Sequence, residues 1–65
     1  MNYNEEIAEV ITLLNMADDG INTTYQRGGF SVSVNNGNII ARTPSRRIFK
    51  GNNIEKMIAD LETRL

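Results

Sequence analysis

Sixty-five residues, 40% of them apolar, make one domain at most, spanning 1–65, with one modest core. A chain this short buries only about 60% of the surface its unfolded form exposes, leaving little room for a substrate cavity of roughly 300–1,000 Å³ and turning attention to external faces. The absence of cysteine excludes a disulfide framework and thiolate metal sites, and a formal net charge of −1 by itself selects no partner.

Met1-Asn2-Tyr3-Asn4-Glu5-Glu6 has neither the basic nor the apolar region of a signal peptide, and no apolar run approaches the ~20 residues of a membrane span. With cysteine absent as well, the expectation is a cytoplasmic protein without membrane contact. Ile7, Val10, Ile11, Leu14 and Ala17 then recur at three- and four-residue steps and predict a first helix. Asn4 is its expected N-cap, Glu5 and Glu6 complement the dipole in its first turn, and Gly20 is its expected stop. Asp18 and Asp19 suit that end poorly, because the dipole there is negative.

Phe30, Val32 and Val34 alternate with Ser31, Ser33 and Asn35, the two-residue period of a half-buried strand. Asn36-Gly37 supplies the left-handed positions of a type I′ hairpin turn. The predicted strands are Ile21–Arg27, Phe30–Asn35 and Asn38–Thr43, with Gly28-Gly29 as the first turn and Pro44 ending the third strand. Ile48-Phe49 reads either as a short fourth extended piece or as an apolar anchor. Ile54, Met57, Ile58, Leu61 and Leu65 form the stripe of a second helix, with Asn52 and Glu55 as its capping pair. The expected fold is therefore α+β, ordered α-β-β-β-α, with two helices packed on one face of a three-stranded antiparallel meander.

Without His or Cys, a general base would have to be a carboxylate, Lys or Tyr, and the carboxylates fall on helix surfaces with nothing to desolvate them. Gly28-Gly29 is not a phosphate loop, and the Asn-rich turn lacks calcium-ligand spacing. The expectation is a non-enzymatic protein with no catalytic residue, no metal site and no cofactor.

Charge distribution is more informative. From Gly20 to Ile54 there is no acidic residue, while Arg27, Arg42, Arg46, Arg47 and Lys50 fall inside that stretch. The flank before it carries five carboxylates and no cation. Arg42, Arg46, Arg47 and Lys50 are the candidate binding residues, with Arg27 and Tyr25 beside them, because guanidinium groups and Tyr concentrate at interface hot spots. A sheet face carrying Thr24, Gln26, Ser31, Ser33, Asn35, Ile40 and Arg42 would suit a wet protein interface, and an edge strand could join a partner sheet or a second copy as a homodimer. Nucleic acid is the alternative partner, held by the basic segment 42–50 with Phe49 and Tyr25 stacking on bases. The element order matches the double-stranded RNA-binding fold, but that family's basic cluster at the second helix is here Asn53-Ile54-Glu55-Lys56.

Val34-Asn35-Asn36-Gly37-Asn38, a returning strand and a terminal helix with Ile54, Glu55, Lys56 and Ile58 resemble small phage-encoded anti-CRISPR inhibitors over about half the chain, largely through the hairpin turn. The resemblance implies a stoichiometric binder that inhibits or regulates a host protein or nucleoprotein complex in the host cytoplasm. Inhibitors that mimic DNA are strongly acidic, and this chain is not.

Overall fold

The computed structural model describes residues 2–17 and 21–65. Helix α1 spans Tyr3–Met16; strands β1 to β4 span Thr23–Arg27, Phe30–Asn35, Asn38–Arg42 and Ile48–Gly51; helix α2 spans Ile54–Glu62. Asp18, Asp19 and the expected stop at Gly20 lie outside the described residues. The fold is α+β, but the sheet has four strands where three were expected, in the order β1-β2-β3-β4 and antiparallel throughout. The fourth forms because β3 offers a free edge and the loop after Pro44 returns the chain to it, pairing Ala41 with Phe49 and Arg42 with Ile48. The order α-β-β-β-β-α removes the topological match to the double-stranded RNA-binding fold.

Both helices start one or two residues from their expected caps. Asn2 caps α1, its side chain accepting from the Glu5 amide at 2.8 Å, so Asn4 lies inside the helix. Asn53 caps α2 by accepting from the Lys56 amide at 3.0 Å, displacing the expected Asn52. Between β2 and β3, Asn36 and Gly37 adopt φ of 52° and 80°, the mirror-image turn that matches strand twist. The amide of Asn36 also donates to the Asn22 side chain at 2.9 Å, fastening the entry of β1 to this hairpin.

The core joins Ile7, Val10, Leu13 and Leu14 of α1 to Phe30, Val32, Val34, Ile39 and Ala41 of the sheet and to Ile54, Met57 and Leu61 of α2. The helices thus share one face of the sheet, as the sequence predicts. Leu13 joins this core although the sequence reading passed over it, and Leu65, expected on the α2 stripe, is 57% exposed beyond the helix end. No helix among the described residues is long and apolar enough to cross a membrane.

Leu14→Ala should lower unfolding free energy by about 3 kcal/mol in urea titration, since Leu14 is fully buried. Leu65→Ala should stay within about 0.5 kcal/mol of the unaltered chain. Equal losses would contradict this placement of the second helix.

Candidate functional site

Strand register decides which side chains the helices leave uncovered. Thr23, Tyr25, Phe30, Val32, Val34, Ile39, Ala41 and Phe49 share the helix-covered side, so their neighbours in each strand face the other way. On that open face two rows cross all four strands. One runs Gln26, Ser31, Arg42, Ile48; the next runs Thr24, Ser33, Ile40, Lys50. The hydroxyls of Thr24 and Ser33 hydrogen-bond at 2.8 Å across β1 and β2. Among the described residues, no carboxylate, aromatic ring or helix stands on this face.

The six candidate residues separate into two groups. Arg42 and Lys50 lie on the open face and Arg46 on the exposed loop between β3 and β4; none of the three has an ion-pair partner among the described residues. Arg27 and Arg47 are ties within the fold. Arg27, last in β1 on the helix side, donates to Glu9 of α1 from Nε at 2.6 Å and from Nη2. Arg47 pairs with Glu6, and its guanidinium lies 4.5 Å from the centre of the Tyr3 ring. Tyr25 is half-buried against the core beneath the helices, and Phe49 is on the same side, so neither is placed to stack on a base at the open face.

Glu6 corrects the expectation that every helix carboxylate is solvated: it is 4% exposed. Its spacing from Val10, Leu13 and Ala17 puts it on the inward stripe, a signal the sequence carried. What holds it there is the loop. Ser45 Oγ donates to Glu6 Oε1 at 2.8 Å, beside the Arg47 contact. Ser45 has one hydroxyl proton, so its 3.0 Å contact with Thr43 Oγ1 must be donated by Thr43. Thr43 Oγ1 in turn accepts from the Arg47 amide at 3.1 Å. The hydrogen bonds therefore run one way, from the Arg47 backbone through Thr43 and Ser45 to the Glu6 carboxylate. Backbone bonds from Thr43 N to Arg47 O and from Arg46 N to Thr43 O close the loop on itself. Arg46 sits at its tip with φ of 69°, a left-handed conformation that is costly for a residue with a side chain.

A cleft of about 690 Å³ opens at this end of the sheet, between the Gly28-Gly29 turn and the 43–47 loop. The sequence led to the expectation that so small a chain would lack such a cavity; the space exists because it lies between two loops rather than inside the core. Gly29 has φ of 87°, and a Cβ there would lie 3.0 Å from Pro44 Cγ, so any other residue would be strained in its backbone and would crowd the proline of the loop. Arg27, Arg42, Arg46 and Arg47 all line the cleft, together with Gln26, Ser31 and Ile48. Gln26 and Ser31, expected on the interface face of the sheet, also line this cleft, and Glu6, which holds the loop beside it, is the contribution that sequence reasoning missed.

Glu6→Ala should lower stability by about 2 kcal/mol, because it leaves the Arg47 and Ser45 donors without their acceptor. In a double-mutant cycle with Arg47→Ala, urea unfolding should give a coupling energy of about 1 kcal/mol. Simple additivity would show that the tie contributes nothing.

No family model, no curated protein and no solved structure matches this chain.

Proposed function

We propose that this chain is a non-catalytic binding module that docks an acidic protein surface through the open face of its sheet and thereby inhibits or regulates a host complex. The observation that carries this reading is the open face, which among the described residues carries no acid and on which Arg42 and Lys50 have no described ion-pair partner among small polar groups and the apolar side chains of Ile40 and Ile48. Cations with apolar neighbours and no competing carboxylate complement an acidic partner and speed its approach. Four strands and five residues cover about 14 by 17 Å, roughly 240 Å², well below the ~800 Å² per partner of a standard interface. The footprint therefore extends over the cleft and the 43–47 loop, which brings Arg46 into it.

Non-catalytic action fits the occupied state of the buried carboxylate, since Glu6 is engaged by Arg47 and Ser45. Protein is favoured over single-stranded nucleic acid because Tyr25, Phe30 and Phe49 turn to the helix side, leaving no stacking platform beside the open cations among the described residues. A phage or mobile-element origin, with a target of the anti-CRISPR kind, is the biological setting this reading proposes.

The test is affinity capture from bacterial lysate with and without nuclease treatment, comparing the unaltered chain with Arg42→Glu/Lys50→Glu. Acidic proteins should be retained by the former and lost by the latter, whose fold should persist because both positions are exposed. Identical captured sets would remove the open face from the proposal. Capture that disappears on nuclease treatment would transfer the role to nucleic acid, with a log–log salt slope of roughly −2 to −3 for two or three phosphate contacts.

A further inference from the structure

We propose that the cleft between the Gly28-Gly29 turn and the 43–47 loop is a binding site for a small phosphomonoester, with Arg42 and Arg46 as its anion ligands. Four arginines line the space, and the guanidinium groups of two of them, Arg27 and Arg47, are paired with Glu9 and Glu6. Among the described residues no carboxylate lines the cleft, so Arg42 and Arg46 leave it with two positive charges that no described acid offsets. A phosphomonoester is a dianion near neutral pH, and its terminal oxygens accept bidentate hydrogen bonds from guanidinium groups.

The row of residues leading into the cleft adds the remaining chemistry. Gln26, Ser31, Arg42 and Ile48 lie side by side across the four strands. The Ser31 hydroxyl and the Gln26 amide offer neutral hydrogen bonds beside the cations. Ile48, 53% exposed, gives an apolar wall for the organic part of the ligand. The volume of about 690 Å³ is within the roughly 300–1,000 Å³ range of small-molecule sites.

Arg46 supplies an independent indication. Its backbone is left-handed, where Gly or Asn would be easier, and the loop is held in that shape by the hydrogen bonds ending on Glu6. Such strain persists where the surrounding structure enforces it, and it recurs at ligand sites because it pre-positions a side chain. Here it fixes an arginine that lines the cleft and has no ion-pair partner among the described residues.

The test is an amide-detected NMR titration with phenyl phosphate at pH 7.5 and low salt. Saturable shifts are expected in the amides of residues 27–31 and 42–48, with a dissociation constant below ~1 mM from two charge-assisted contacts. Benzenesulfonate, a monoanion of similar shape, should bind at least ~10-fold more weakly. Arg42→Gln should weaken phenyl phosphate about 10-fold or more. Arg46→Gly is the more telling variant: it relieves the backbone and so folds at least as well, yet should lose binding to the same extent. No saturable shift at ~10 mM phenyl phosphate, or unchanged affinity in Arg46→Gly, would overturn the assignment. A hexaglutamate peptide or a short thymidine oligonucleotide moving the same amides at lower concentration than phenyl phosphate would also overturn it. The peptide result would leave the docking surface standing, and phosphate binding without protein capture would remove the docking surface alone.

Discussion

The Glu6 carboxylate, placed on the inward side of α1, is the point on which the arrangement at the basic end of the sheet depends. It receives Ser45 and Arg47 from a loop that is far away in sequence and has little apolar surface of its own to bury. A loop without a core contact is ordinarily mobile, because ordering each residue costs about 1–2 kcal/mol of conformational entropy. Here the cost is met by a charged acceptor in a shielded position, where hydrogen bonds are worth more than at the surface. The loop then directs the chain into β4, and β4 completes the sheet. One carboxylate thus links the first helix, the loop conformation and the fourth strand.

Layering explains how the charges are distributed. With both helices on one side, each strand sends alternate residues to a dry face and a wet one. The acidic first helix lies over the dry side and draws in the two arginines that can reach it, at either side of the cleft. The cations on the wet side have the thickness of the sheet between them and those carboxylates. A net charge near zero therefore conceals a molecule with two electrostatically different sides.

Local pattern was sufficient for most of the fold. The alternation from Phe30 to Val34, the Asn36-Gly37 turn and the two apolar stripes each act over a few residues, and each led to the observed element. What stayed hidden was non-local. Ile48-Phe49 could be read as a fourth extended piece or as an apolar anchor, and only the available edge of β3 decides for a strand over 48–51. The same holds at the site: sequence placed five cations together in the middle of the chain, but pairing of Arg27 with Glu9 and Arg47 with Glu6 depends on which helix face meets which strand end. Of the expected binding residues, Arg42, Arg46 and Lys50 are the ones left facing outward. Glu6 could have been noticed from its spacing to Val10 and Leu13, but its place in the first helical turn offered a simpler account, dipole complementation, that fits Glu5 equally well.

Under the proposed anion site, position 46 is pulled in two directions. Folding alone would prefer a residue without a β-carbon at a left-handed backbone angle, and contact with an anion needs the long cationic side chain that is there. Chains freed from any demand to bind would drift toward glycine or asparagine at this point and gain stability as they did so. On that account the arginine holds a backbone angle that glycine would adopt at lower cost.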